Sequence, residues 1–137
     1  MTNFSEIGIF PIVEIPTINN SEFSNGSFQV YLPIWIQKSW GKFTTYGGGG
    51  YWINSGADNK NWFYVGWQAQ YDFSKFISLG TEIYYHSEDS KDSHSAAGIT
   101  LGGSLNFTEK FHFIFSVGHT LLNDNYTTSY IGILWTI

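Results

Sequence analysis

The sequence predicts an all-β protein, an antiparallel up-and-down transmembrane β-barrel, from three observations. Runs of about ten residues alternate apolar side chains with small or polar ones, as in 63–71 and 111–118, and a period of two is that of a β-strand. The breaks between the runs alternate between long polar segments and short turns, as in membrane barrels. Aromatic residues make up 20% of the chain and charged residues only 12%, whereas about a quarter of an average soluble domain is charged.

Composition narrows the class of protein further. The 137 residues fit one domain, and no run approaches the ~18 apolar residues that a transmembrane helix requires. The chain has no cysteine, which excludes disulfides and cysteine-based metal sites. Its net charge of −5, without a basic patch, argues against nucleic acid as a partner. The segment 1–6 lacks the features of a signal peptide, so we expect further sequence to precede Met1 in an outer-membrane protein.

The first half of the chain gives four predicted strands, each bounded by turn-forming residues. The first runs from Glu6 to Ile15, before a polar loop rich in Asn and Ser. The second, Ser27 to Lys38, and the third, Phe43 to Ile53, are joined by a tight turn at Gly41. A loop of Asn, Ser, Gly and Asp residues, all turn formers, leads into the fourth strand, Trp62 to Asp72.

The second half repeats this organisation. The fifth predicted strand, Phe76 to His86, follows a short turn, and a charged loop separates it from the sixth, Ser95 to Phe107. Another short turn precedes the seventh, Phe111 to Leu121, and an Asn-rich loop precedes the eighth, Thr127 to Thr136. Because the long loops of membrane barrels face outside and the short turns face the periplasm, we expect both chain ends on the periplasmic side.

The same period sorts the side chains of the strands onto two faces. One face is apolar, and we predict that it meets the lipid of the outer membrane. The other carries carboxylates, amides and imidazoles, and we predict that it lines a wet lumen. The candidate lumen-lining residues are Glu14, Gln37, Gln68, Gln70, Glu82 and His112. Parity leaves open which face is inside, because a soluble β-barrel has its apolar face inside.

Strand length, loop alternation and aromatic residues near the strand ends favour the membrane interpretation. Such residues form interfacial girdles in membrane barrels. The predicted girdle residues are Trp40, Phe43, Trp52, Trp62, Tyr71, Phe76, Tyr85, Phe107, Phe111 and Tyr126.

The remaining motifs predict no chemistry. The run Gly47–Gly50 is not followed by the Lys-Ser or Lys-Thr of a phosphate loop, and we interpret it as a site of close packing within a strand. The acidic loop between His86 and His94 lacks the spacing of a calcium loop. No nucleophile, base and oxyanion donors are aligned. We therefore predict no catalytic residue, no cofactor and no metal site.

Several segments resemble one family of bacterial outer-membrane proteins. The segments are 8–11, 14–17, 32–41, 44–54, 101–103 and 115–119. They are similar to outer-membrane β-barrel proteins described as transporters and related to the meta-pathway phenol-degradation family. The resemblance spans nearly the whole chain and is most specific over residues 32–54. It implies that the chain is the C-terminal portion of a longer barrel.

The C-terminal run 130–137 alternates up to its last residue. It resembles the terminal-strand signal that the outer-membrane insertion machinery reads. Such signals usually end in Phe or Trp, whereas this chain has Trp135 two residues before Ile137. Because the run keeps the alternation of such a signal, we expect the insertion machinery to be a partner.

The family resemblance implies a channel or transporter-like protein of the bacterial outer membrane that passes small hydrophobic or aromatic solutes passively. The expected partners are membrane lipid, the solute and the insertion machinery, and the oligomeric state is left open. One alternative is a structural or adhesive barrel, because eight strands leave an interior just wide enough for side chains. The other alternative is a soluble ligand-binding barrel of the lipocalin or avidin type.

Overall fold

A computed structural model describes residues 5–17, 27–123 and 125–136, and these residues form one antiparallel sheet. The strands are β1 (Glu6–Gly8), β2 (Ile12–Glu14), β3 (Gln29–Trp40), β4 (Phe43–Asn54), β5 (Trp62–Asp72), β6 (Ile77–His86), β7 (Ala96–Asn106), β8 (Phe111–Leu122) and β9 (Thr127–Trp135). Within these ranges there is no helix that is long and apolar enough to span a membrane.

The sheet is an up-and-down meander, which confirms the predicted all-β antiparallel class. From β3 onward each strand pairs with the next one along the chain, through to β9. The second to eighth predicted strands correspond to β3–β9, and their ends differ by a few residues at most. The loop predicted around residues 18–26 lies outside the described residues.

The prediction of one continuous first strand is wrong, because the structure divides it into β1 and β2. Both pieces pair with β3 in the same register, as the pairs Ile7–Ile36 and Val13–Val30 show. The gap contains Pro11 and lies opposite Pro33. Neither proline has an N–H to donate, so the ladder is interrupted there and resumes in register beyond it.

The predicted closure into a barrel is not seen in the part of the chain that the structure describes. β1 and β2 form one edge of the sheet, and β9 forms the other. Each edge strand pairs with a single neighbour, and the side chains of β9 are almost all exposed. The sheet therefore presents two edges whose backbone groups have strand partners on one side only.

The short turns are set by their own side chains. Gly41 has a φ of 61° and begins the two-residue connection between β3 and β4, as the first central residue of a type II′ turn does. In the next turn the hydroxyl of Ser74 accepts hydrogen bonds from the backbone N–H groups of Phe76 and Ile77. Thr108 accepts two in the same way between β7 and β8, so both turns are stabilised locally.

The register drifts steadily across the sheet. A line perpendicular to the strands starts at Glu6, beside the short turns, passes through Gln37 and Gln68, and reaches Thr128 beside the long loops. A stagger that accumulates in one direction is the geometric requirement for tilted strands in a closed barrel. The stagger of the open sheet therefore runs in one direction across all of its paired strands.

The glycine run of β4 is covered by aromatic rings from both neighbouring strands. Gly47 and Gly50 point to opposite faces; the ring of Trp67 lies where a Cβ of Gly47 would be, and the ring of Tyr31 lies where a Cβ of Gly50 would be. The interpretation of this run as a site of close packing agrees with these contacts. Large rings over glycines support the sheet where glycine itself offers no side chain to pack.

We predict that Gly50→Ala destabilises the sheet by about 1–3 kcal/mol, the cost of overpacking a filled position. The added methyl would overlap the Tyr31 ring and lie 2.8 Å from the Cα of Pro33, so backbone as well as side chain must move. The matched control is Gly8→Ala, whose methyl meets Phe10 at an ordinary 3.4 Å. Urea titrations followed by tryptophan fluorescence measure both variants, and equal midpoints would contradict this packing.

Candidate functional site

The register places the six candidate lumen-lining residues on one face of the sheet, which we call the polar face. Gln37, Gln68 and Glu82 belong to a single row of eight residues that runs across the strands. Each member of the row is the direct cross-strand partner of the next member. The row is Glu6, Gln37, Tyr46, Gln68, Glu82, Thr100, Gly118 and Thr128. Gln70 and His112 lie on the same face nearer the short turns, and Glu14 lies at the β2 edge, paired with Gln29.

A depression of about 580 Å³ lies on the polar face and is lined by residues of the six strands β4–β9. We call it the trough. Four of the six candidates line it, namely Gln68, Gln70, Glu82 and His112. Because one depression spans so many neighbouring strands, the polar face is the concave face of the sheet.

The other two candidates lie outside the trough. Gln37 lines a second depression of about 440 Å³ with Glu6 and Trp35, and Tyr46 lines both depressions. Glu14 is exposed in the short edge strand β2 and lines neither of the two. The structure therefore gathers five of the six candidates along one concave surface and leaves Glu14 at its margin.

Hydrogen bonds hold the central polar side chains in place. The hydroxyl of Tyr64 donates to Glu82 Oε1 at 2.8 Å, and the hydroxyl of Tyr46 donates to Gln68 Oε1 at 2.5 Å. Because Gln68 and Glu82 are direct cross-strand partners, two tyrosines fix a carboxamide and a carboxylate side by side. Both members of this pair line the trough.

Two further polar pairs line the end of the trough nearer the short turns. Asp72 accepts hydrogen bonds from Ser78 at 2.6 Å and from Gln70 at 3.2 Å. His112 Nδ1 lies 2.8 Å from Asn106 Oδ1. Since an Asn carbonyl oxygen can only accept, the His112 nitrogen that faces it carries the proton. The side chains of both candidates, Gln70 and His112, are thus oriented by neighbours on the same face.

Sequence reasoning missed the aromatic residues of the polar face. Tyr64 reaches Glu82 by leaning across Gly66, and the ring of Tyr84 lies where a Cβ of Gly98 would be. The signal was available in the parity of the strands, because these tyrosines share the parity of the polar residues. Their hydroxyl groups give them a polar tip that suits a wet surface.

The girdle prediction is wrong for two of its residues. Trp52 and Trp62 lie on the polar face, where they stack on each other with ring centroids 5.5 Å apart. Tyr31 extends the stack, 4.6 Å from Trp52, and His86 meets Trp62 edge-on. Tyr31, Trp52 and Trp62 therefore form a row of stacked rings across three neighbouring strands.

The opposite face, which we call the apolar face, is strongly exposed. Ile34, Ile83 and Leu101 are each more than half exposed. The buried apolar side chains of the described residues are Tyr31 and Ala96, together with Pro33. The described part of this single-layer sheet has no conventional hydrophobic core, and most of its aliphatic side chains lie on the outer side, although Ile114 and Leu134 line the trough.

The two long loops after β4 and β6 are joined by two ion pairs and a β-bridge. Lys60 pairs with Glu88, and Lys91 pairs with Asp58, while Asn59 and Ser90 form an isolated β-bridge. The hydrogen bond and the charge of Lys60 lower the pKa of the Glu88 carboxyl. No three potential metal ligands come together among the described residues, and two acidic groups of these loops, Asp58 and Glu88, serve as ion-pair partners.

Charge is distributed unevenly between the faces. The described strands place Glu6, Glu14, Asp72 and Glu82 on the polar face and no lysine there. All six basic residues of the chain are lysines, and they lie in the loops and short turns, except Lys38, which lies over the Trp40 ring beside a short turn. The concave face is therefore an anionic surface.

No family model, curated protein or solved structure matches this chain. The family resemblance of the segments described above stays a prediction.

Proposed function

We propose that the sheet is the wall of an outer-membrane β-barrel and that the protein is a channel or transporter-like protein for the passive passage of small solutes. One observation carries the proposal: large aliphatic side chains lie exposed on the outer face, while the carboxylates and glutamines of the strands lie on the concave face. An outer face of this kind is stable in contact with lipid, whereas soluble proteins avoid exposing apolar patches of this extent to water.

One polar cluster of the apolar face, formed by Thr45 and Trp67, suits a lipid environment. Thr45 accepts a hydrogen bond from Trp67 Nε1 and donates one to the backbone oxygen of Gln68, both at 2.8 Å. An unpaired donor in hydrocarbon costs several kcal/mol, so membrane-facing polar groups need such partners. Lys38 lies at the end of β3, 5.0 Å from the centre of the Trp40 ring, a position from which its ammonium reaches the interface.

The proposal requires that the two sheet edges be paired in the membrane, because open edges are not stable in hydrocarbon. The accumulated stagger of the register suits closure, and both edge strands continue the apolar face. β1, β2 and β9 would pair either with each other or with further strands of a larger barrel. The resemblance to longer outer-membrane proteins favours the larger barrel.

The polar concave face argues against the soluble alternative. A lipocalin-like barrel keeps charged side chains out of its interior, whereas here Glu82 lies in the trough and Ile34, Ile83 and Leu101 are exposed on the opposite face. The structural or adhesive alternative has one observation in its favour. Large rings lean inward over glycines on the polar face, including Tyr31 over Gly50 and Tyr84 over Gly98, and in a barrel of only eight strands they would fill the interior.

We expect Val117→Arg to destabilise the protein in lipid vesicles by about 2–4 kcal/mol, the cost of an arginine on the lipid face near the bilayer midplane. Val117 lies on the apolar face and is half exposed, whereas the neighbouring Ser116 lines the trough. Ser116→Arg is the matched control and should cost less, because its charge meets water. Urea titrations in vesicles measure both, and equal or reversed penalties would show that the faces are inverted.

If the barrel conducts, Glu82→Lys should lower its preference for cations over anions. Glu82 lies at the centre of the anionic concave face, where a low-dielectric wall focuses its field. Asp89→Lys makes the same charge change in an outer loop and should have less effect, since water and salt screen it. Reversal potentials across planar bilayers under a salt gradient measure the preference. A protein without conductance or solute flux would contradict the channel and favour the structural barrel.

A further inference from the structure

We propose that the trough binds small organic cations that carry a quaternary or primary ammonium group, with the Glu82 carboxylate as the anionic anchor. This inference rests on the proposed function and deepens it by naming a class of solute. It concerns binding at one position of the polar face, so it can be tested separately from passage across a membrane.

The carboxylate of Glu82 is fixed by one oxygen and open to a ligand at the other. Its Oε1 accepts the hydrogen bond from Tyr64, and its Oε2 has no hydrogen-bond partner among residues 5–17, 27–123 and 125–136. One oxygen therefore fixes the carboxylate while the other is available to a ligand. A carboxylate held in place in this way loses little side-chain entropy when a ligand binds, which favours affinity.

The neighbours of Glu82 complete the polar recognition. Gln68 is its direct cross-strand partner, and the Gln68 oxygen is already engaged by the Tyr46 hydroxyl. Its amide nitrogen has no partner in the part of the chain that the structure describes, so it offers a donor beside the carboxylate. Thr100, on the other side of Glu82, adds a hydroxyl. An alcohol group on the ligand would find both a donor and an acceptor here.

Two tyrosine rings lie on the long-loop side of the carboxylate, at the margin of the trough, and Tyr46 and Tyr130 line the trough itself. Tyr64 leans across Gly66, and Tyr84 leans across Gly98; their rings stack with centroids 6.4 Å apart. The rings of tyrosine attract ammonium groups, and recognition of choline-like cations by aromatic residues next to a negative charge is an established use of this attraction. The trough, at about 580 Å³, falls within the size range of small-molecule sites.

The same face disfavours anions. The described strands carry no lysine on the polar face, and the imidazole of His112 is engaged with Asn106. An anionic solute would meet the unneutralised carboxylate of Glu82 and find no fixed cation to offset it. The selection is therefore by attraction of one charge and repulsion of the other.

The test is a calorimetric titration of choline chloride into the full chain folded in dodecyl maltoside micelles, a detergent without a cationic headgroup. The matched neutral probe is 3,3-dimethylbutan-1-ol, which has the shape of choline without its charge. We expect choline to bind at least tenfold more tightly than this alcohol. Glu82→Gln should weaken choline binding about tenfold while leaving the alcohol unaffected, and Glu109→Gln, the same change in an exposed turn, should alter neither.

Equal binding of choline and the alcohol to the unmodified protein would overturn the proposal, as would a folded Glu82→Gln variant that binds choline as tightly as the parent. If Glu82→Gln does not fold, the comparison of the two probes on the unmodified protein still decides. Choline binding in micelles without solute flux in vesicles would retain this site and overturn the channel. Flux without any choline preference would retain the channel and overturn this site.

Discussion

The register of the backbone ladder is the constraint on which the rest of this structure depends. From β3 to β9 each strand pairs with its chain neighbour over most of its length, and side chains alternate between two faces with a period of two. A slip of one residue in any pair would move a whole strand's apolar set to the other face. Apart from one shift between β7 and β8 at Ala97 and Gly98, the register holds, so Trp67 and Ile83 face outward together while their neighbours Gln68 and Glu82 face the trough together.

The shape of the polar face depends on tyrosine rings that pack over glycines. Large rings stand next to positions without side chains, as with Tyr64 at Gly66 and Tyr84 at Gly98. The glycines allow the rings to lie down across the sheet, and the ring hydroxyls then reach polar groups such as Glu82. The result is a concave surface that is neither an apolar core nor an open array of flexible polar chains. Its central carboxylate is oriented by a neighbour in the same sheet.

Alternation and turn chemistry were sufficient to predict the strands β3–β9 and the membership of the two faces, because both depend on local sequence. The break between β1 and β2 was missed. It depends on Pro11 and Pro33 coming to the same part of the ladder, where Phe10 lies opposite Pro33 and Pro11 opposite Leu32, and this becomes visible only when the register is known. The stacking of Trp52 on Trp62 was missed for a related reason: aromatic residues near strand ends were assigned to a girdle without regard to their parity. Closure of the sheet depends on pairing between strands far apart in the chain, and local pattern carries little information about such pairing.

The most direct test of a lipid-facing apolar face and a wet polar face is a nitroxide scan along β8. The chain contains no cysteine, so single cysteines at Phe113, Ile114, Phe115, Ser116 and Val117 would each carry one label. In lipid vesicles, a membrane wall predicts high collision with oxygen at residues 113, 115 and 117 and high collision with a water-soluble nickel chelate at residues 114 and 116. Accessibilities to oxygen and nickel that rise and fall together, or that follow the opposite parity, would contradict the assignment of the faces.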